Sequence, residues 1–376
     1  MSLHTLYGGP LSLYTGKARS YLIKNGVAYR EVTPTTKHYQ EHVMPRAKMW
    51  MMPTLETADG EVIRDGAAIV EHFESQSGHP NRPTTPKQRI LSSLIDVIGM
   101  EGLLRPAMHY RWNFDAENEA FLLHHFAAMA PGTGDRKELA AKGMGRMRMA
   151  AVSFGVVPET MPGVEERYGR VLAALDRHFA ATPYLLGHRP SIGDFSLIAP
   201  MYGHLGRDPK PLALMQSTAV NVFRWVERMN RPEHDIGEYE TEEGDLPPLE
   251  FLDNDAVADT LIAVLKEIAT DFVPETLAAA QFINEWLEGD QKPAAGDPLA
   301  RGVGMAPFEV EGTTINGLAQ PYRFYLLARV QSDYDSLGES DRKTVDTVLA
   351  AAGLSPVLDA RLTREIGRED NLEIWL

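Results

Sequence analysis

The stretch Leu3-His4-Thr5-Leu6-Tyr7-Gly8-Gly9-Pro10-Leu11-Ser12-Leu13-Tyr14-Thr15-Gly16-Lys17-Ala18-Arg19 decides how this chain is read. Its apolar start, Leu3 to Tyr7, is stopped by Gly-Gly-Pro, the pattern of a buried strand ended by a turn. A helix follows. Ser12 has the residue type and place of an N-cap, Ala18, Tyr21 and Leu22 recur at helical spacing, and Gly26 is placed to end the helix in a left-handed conformation. Ala28 to Val32 then alternates like a strand. After a polar loop, Thr54-Leu55-Glu56, the turn Ala58-Asp59-Gly60 and Glu61-Val62-Ile63 read as a hairpin, with a helix from Gly66 through Phe73. The element order is β-α-β, then β-β-α.

Three more signals follow in fixed order: Met52-Pro53-Thr54-Leu55 at the third strand, Arg64-Asp65-Gly66-Ala67-Ala68-Ile69, and Ser191-Ile192-Gly193-Asp194 in a helical segment. Together with the Ser12 loop they resemble the glutathione S-transferase family over about residues 1 to 230. The resemblance implies an α/β plus all-α fold class: a thioredoxin-like glutathione-binding domain over 1–80, an all-helical transferase-like domain over 84–232, and an additional, mostly helical extension over 245–376. It implies that Pro53 is cis and that the exposed Met52 backbone pairs with the cysteinyl unit of glutathione as an added strand would. Asp65 and the helix N-terminus opened by Gly66 would receive the γ-glutamyl amine and carboxylate. Ser12 falls where the family places its thiol-activating Ser or Cys. Glutathione would serve as co-substrate, and its sulfur would attack a small, apolar electrophile. One departure stands out: family members usually carry Ser after the acidic residue, and here it is Gly66, so backbone amides must hold the γ-glutamyl carboxylate. A closer likeness is to a bacterial-type branch with S-x-Y-T-x-K in the first loop and a long C-terminal extension.

The chain has no cysteine. A protein thiol couple, a mixed disulfide through the enzyme and a thiolate zinc site are therefore excluded, and with them the Cys-dependent thioltransferase branches. What remains is activation of the glutathione thiol. Lowering a thiol pKa of about 8.5 by roughly two units requires about 2.7 kcal/mol of thiolate stabilisation. A hydroxyl donating to a charged sulfur supplies roughly 1.5 to 3 kcal/mol, and a helix N-terminus about 0.3 to 1 kcal/mol. Ser12 at a helix start is sufficient in magnitude.

Plainer readings stand beside these. Ser12 and Asp65 both read as helix caps, since the same geometry serves either role. Tyr14 and Tyr7 are rival hydroxyl donors, with Tyr7 assigned to the core. Lys17 and Arg64 are the candidates to balance an anionic cofactor, whereas Arg19 reads as a solvated helix residue. Ser191 and Asp194 form a capping box and are structural. His38 and His42 share a helical spacing but lack a third ligand, so no metal site is expected. The Met-rich stretch Gly143 to Met149 reads as a surface helix packing its methionines inward.

The 376 residues have room for two or three domains, and a 44% hydrophobic fraction marks a globular chain. A formal charge of -15 and a pI near 5.3 argue against nucleic acid and anionic membranes as partners. Met1-Ser2-Leu3-His4 shows no leader, and no apolar run is long enough to span a bilayer, so the expected location is the cytoplasm. The resemblance further implies a homodimer. Thr85-Pro86-Lys87-Gln88 starts a long helix that Pro106 should kink or break, which leaves His109, Tyr110, Arg111 and Trp112 close to the presumed cleft, with His109, Tyr110 and Trp112 expected in the acceptor-substrate pocket. Further helices are expected over 116–130, 136–151, 164–180, 192–204 and 220–229. In the extension they are expected over 254–269 and 274–287 and from Ser340 and Ser355, with a small hairpin about Gly312. No nucleotide, nucleophile-elbow or metal motif occurs there. The alternative from another class is a non-catalytic binding or interaction module that kept this fold.

Overall fold

The structure is a computed structural model describing residues 3–130, 134–241 and 243–376. Met1 and Ser2, part of the start read above as showing no leader, lie outside the described residues. β1 (His4–Tyr7) leads into α1 (Leu13–Lys24) and β2 (Tyr29–Val32). A π turn (Tyr39–Val43) and α2 (Met44–Ala47) occupy the expected polar loop, because Tyr39, Val43 and Ala47 recur at fours and bury against Tyr7 and Val62. β3 (Thr54–Glu56), β4 (Val62–Arg64) and α3 (Gly66–Gln76) complete this unit. The sheet order is β2-β1-β3-β4, with β1 parallel to β2 and antiparallel to β3. Leu6 faces Leu55, which faces Ile63, and these pack with Ala18, Tyr21 and Leu22 of α1 and Val70 of α3. The thioredoxin-like arrangement read from the sequence is the one observed.

Among the described residues eight helices follow: α4 (Pro86–Glu101), α5 (Leu104–Trp112), α6 (Asp115–Ala128), α7 (Arg136–Ser153), α8 (Met161–Ala181), α9 (Ile192–Gly203), α10 (Pro209–Thr218) and α11 (Val220–Met229). The break expected at Pro106 falls earlier, at Gly102-Leu103. Pro106 sits in the first turn of α5, where its missing N–H leaves no helical bond unmade. α10 was not anticipated. Of the methionines in α7, Met144 is buried while Met147 and Met149 are exposed, which corrects the inward-facing expectation: five residues of helical rotation carry Met149 away from the face Met144 presents.

Two glycines allow α9 to hold the molecule together. A Cβ at Gly99 would lie 2.3 Å from the Ser196 carbonyl carbon, and one at Gly203 would lie 2.5 Å from the Leu13 Cα. Only bare backbone lets α9 approach α4 on one side and α1 on the other. The Ser191–Asp194 capping box is present, and the buried Asp194 carboxylate also accepts from the Leu185 N–H at 3.1 Å and the Trp225 indole at 3.2 Å. Even with these donors, burial pushes its pKa up to about 6.

In the extension, α12 (Asp259–Glu288) is one helix where the sequence predicts two. It continues through Pro274 because Leu261, Val264, Ile268 and Phe272 before the proline and Ala279 and Ile283 after it all bury in the main core. β5 (Met305–Val310) and β6 (Thr313–Leu318) form the hairpin about Gly312. α13 (Pro321–Asp335) and α14 (Glu339–Ala351) both pack on α4. Ser355–Asp359 is a single 3-10 turn rather than a longer helix. The chain closes with the hairpin β7 (Ile366–Glu369) and β8 (Leu372–Trp375). One apolar core runs from the first sheet through α4 and α9 into α12 and α13. Among the described residues no helix is long and apolar enough to cross a membrane.

Candidate functional site

The loop between β1 and α1 is shaped from both sides. Ser12 caps α1 with extended backbone, φ -82° and ψ 113°, and its Oγ accepts the Thr15 N–H at 3.2 Å. Among the described residues its own O–H proton meets no acceptor. Leu11 and Leu13 are buried on either side, leaving the Ser12 side chain half-buried between them. The preceding carbonyl is fixed by Arg111 of α5, which donates to Leu11 O at 2.8 Å and to Gly203 O at 2.8 Å. Its guanidinium is balanced by the buried Asp208 carboxylate at 2.7 and 2.9 Å. His204 contacts Arg111 through Nε2, and burial followed by the neighbouring Arg111 charge lowers its pKa far below the usual range, so the ring is neutral.

Pairing of Tyr7 with Thr54 brings this loop beside Met52 and Pro53. The Met52–Pro53 bond is cis. A Cβ on Gly9 would lie 3.6 Å from the Met52 sulfur. The Pro53 carbonyl accepts the Asp65 N–H at 3.1 Å, which ties the start of α3 to the same place. Asp65 has φ 85°, a conformation disfavoured for any residue with a Cβ. It is held by Oδ1, which accepts the N–H groups of Ala67 at 2.8 Å and Ala68 at 3.2 Å. A Cβ on Gly66 would lie 3.1 Å from the Tyr14 carbonyl oxygen, 3.7 Å from Pro53 Cγ and 3.8 Å from Lys17 Cβ. The Tyr14, Lys17, Pro53 and Gly66 positions therefore meet, and a serine at 66 would crowd the Tyr14 carbonyl. Glycine here has a packing reason.

The charged groups near the site are matched inside the chain. Lys17, fully buried, pairs with Asp96 of α4 at 2.5 Å, and Ser196 donates to the same carboxylate oxygen. Arg64, also buried, pairs with Glu373 of β8, and its backbone N–H donates to Asn371 Oδ1 at 3.0 Å. Asn371 Nδ2 donates to Val62 O at 2.9 Å, so the tip of the last hairpin completes the open edge of β4. The second oxygen of Asp65 is engaged as well: the Tyr322 hydroxyl of α13 donates to Asp65 Oδ2 at 2.8 Å. Tyr14, half-buried, packs against both the main core and the cluster around Leu11 and Leu13. Burial, and next the Glu101 charge, raise its pKa, so its hydroxyl stays protonated. Burial pushes the Glu101 carboxyl up to about 7 against the pull of Arg323, and its Oε2 has no hydrogen-bond partner among the described residues.

The three expected pocket residues on α5 are all buried, each among different neighbours. His109 meets Glu165 Oε1 and Asn113 Nδ2, both at 3.0 Å. Tyr110 stacks on Phe114 with ring centroids 5.3 Å apart and belongs to the main core. Only Trp112 joins the cluster of Leu11 and Leu13 beside Ser12. Asp194 lies away from the site as a cap, in line with its structural reading. His38 is 2.9 Å from Glu56 Oε2, and among the described residues no three His, Cys, Asp or Glu side chains form a metal-binding group.

Tyr322, Asn371 and Glu373 were not found from the sequence. For the hairpin a signal existed, since Asp370-Asn371 between two short alternating runs suits a tight turn with positive φ at both residues, which measure 46° and 67°. Nothing local marks Tyr322.

Residues 6–81 match the family model described as glutathione S-transferase, N-terminal domain. No curated protein matches the chain. Among solved structures, the chain is similar to the β-etherase LigF of Sphingobium sp. strain SYK-6 at 18% identity, over 61% of this chain and 95% of that one, with a TM-score of 0.40. It is similar to the theta class glutathione S-transferase of the citrus canker pathogen Xanthomonas axonopodis pv. citri, solved with glutathione bound, at 19% identity over 66% and 100%, with a TM-score of 0.36. A glutathione S-transferase of Methylobacterium radiotolerans, solved in complex with glutathione sulfonate, is similar at 16% identity over 67% and 98%, with a TM-score of 0.36. The sheet order β2-β1-β3-β4, the cis Met52–Pro53 bond before β3 and the match over residues 6–81 agree in giving this chain an N-terminal domain of the glutathione S-transferase type.

Proposed function

We propose that this protein is a glutathione-dependent transferase in which Ser12 stabilises the glutathione thiolate and the sulfur attacks a small, apolar electrophile. The observation that supports this most directly is the state of Ser12. Its oxygen already accepts the Thr15 N–H, so its O–H proton is left to donate to an anion at the start of α1. A thiolate there gains a charge-assisted hydrogen bond and the helix dipole. The Met52 backbone beside Pro53 aligns the cysteinyl unit, and Asp65 with the Gly66 N–H at the start of α3 holds the γ-glutamyl end. In the transfer step the thiol proton passes to water and a sulfur electron pair forms the carbon–sulfur bond. The leaving group departs with the pair of the bond that breaks, and Ser12 stays protonated throughout. On this reading the protein acts in the cytoplasm, in detoxification, as a homodimer.

Glutathione consumption with an activated aryl halide tests the reading. Turnover that Ser12→Ala removes, with glutathione affinity little changed by calorimetry, supports it. Equal turnover in both proteins sinks the role of Ser12. No turnover by the wild-type protein at millimolar glutathione moves the assignment to a non-catalytic binding module.

A further inference from the structure

The two oxygens of Asp65 have different duties. Oδ1 caps α3, which leaves Oδ2 as the acceptor for a cationic amine. In this structure Oδ2 takes the hydroxyl of Tyr322 at 2.8 Å, the length an ammonium donor would also adopt. Tyr322 thus makes the bond that, on the reading above, belongs to the γ-glutamyl ammonium. We propose that the C-terminal extension latches the γ-glutamyl end of the site, with Tyr322 as an internal stand-in for the co-substrate that glutathione must displace.

A second contact converges on the neighbouring residue. Asn371 holds the Arg64 N–H and the Val62 carbonyl, and Glu373 holds the Arg64 guanidinium, so the extension grips two consecutive residues, Arg64 and Asp65, from two separate elements. The rest of α13 is firmly seated. Arg323 is buried, paired with Glu275 at 3.1 Å and bonded to Thr276 at 3.1 Å, and Phe324, Leu326 and Leu327 lie in the main core. Tyr322 differs from them. It is half-buried and second in its helix, so its side chain can turn away from Asp65 by a rotamer change while α13 stays in place. A site closed for part of the time binds with an affinity reduced by that closed fraction.

The proposal rests on the assignment of Asp65 to the γ-glutamyl amine, and the test separates the two. Reduced glutathione is titrated by calorimetry into the full-length wild-type protein, Tyr322→Phe, Tyr322→Ala, and each variant combined with Asp65→Ala, with circular dichroism to verify folding. The latch predicts that Tyr322→Phe binds glutathione at least about tenfold more tightly than wild type, the worth of one hydrogen bond to a charged acceptor. Tyr322→Ala should move in the same direction, and Asp65→Ala should abolish the gain in both. Equal or weaker binding by both Tyr322 variants, with wild type binding, overturns the latch and leaves the glutathione site standing. No binding by any folded form overturns the glutathione site itself, and the latch with it.

Discussion

Arg111 and Asp208 form a buried two-point ion pair, at 2.7 and 2.9 Å, whose remaining guanidinium hydrogens fix the Leu11 and Gly203 carbonyls. The helical region thereby sets the position of the Ser12 loop. Arg111→Lys keeps the charge but cannot reproduce the fork, so roughly 1 to 3 kcal/mol of stability should be lost. Turnover should fall further than glutathione affinity, because the loop rather than the γ-glutamyl end is loosened. Urea unfolding and a split of kcat from KM check both parts, and a variant with unchanged kcat would show that the loop holds itself.

Ser12→Ala removes a cap as well as the proposed thiolate donor. Loss of the cap should cost about 1 kcal/mol and lower the melting temperature. Ser12→Asn restores a capping oxygen, and should recover stability without recovering turnover. Recovery of turnover by Asn would mean that the hydroxyl itself is dispensable, its place taken by the restored cap or by the amide N–H.

Glu101 gives stability a pH dependence whose sign can be worked out. Its ordinary pKa of 4.5 rises to about 7 in the fold, chiefly through burial. Between those values the folded protein keeps a proton the unfolded chain has released, so stability falls as pH rises through the window, by roughly 3 kcal/mol in all. Glu101→Gln has no such loss. Its advantage over wild type should be absent below pH 4.5, grow up to about pH 7 and stay level above it, read from urea midpoints at each pH. An advantage independent of pH would show that Glu101 does not titrate in this range.

Glu373 is placed between Arg64 and Arg368, and all three lie largely out of solvent. Glu373→Ala should destabilise the protein by about 3 to 5 kcal/mol, because a buried guanidinium loses its counter-charge. Replacing Arg64 as well should give back part of that loss, which a double-mutant cycle would measure.

The N-terminal unit was readable because its signals are local. The Gly-Gly-Pro stop, the Ser12 cap, the Ala58-Asp59-Gly60 turn and the Asp65 cap each act within four residues, and the observed elements follow them. The continuation of α12 through Pro274 was not readable, since burial on both sides of the proline, absent from any short window, outweighs the missing bond. The site divides in the same way. The family resemblance, and not the residues by themselves, placed Tyr14, Lys17, Pro53 and Gly66 at one site, where their positions do meet, but Lys17 and Arg64, the candidates to balance an anion, instead face Asp96 and Glu373, the second 309 residues away. Asp96 and Glu373 stand on ordinary helix and strand patterns that give no hint of their partners. Tyr322 follows Pro321 as any second residue of a helix would, and only the tertiary fold carries it to Asp65.

The bond between Asn371 and β4 also orders events during synthesis. A ribosome adding about 5 to 20 residues per second needs on the order of 15 to 60 seconds to make the chain between the two residues, which are 307 apart. For that interval the first sheet, already able to form, presents an uncovered edge strand to its surroundings. Nascent chains are therefore most vulnerable to strand-to-strand aggregation early in translation, and a chaperone that shields exposed edges would raise the yield of this protein most if it acts before the last hairpin emerges.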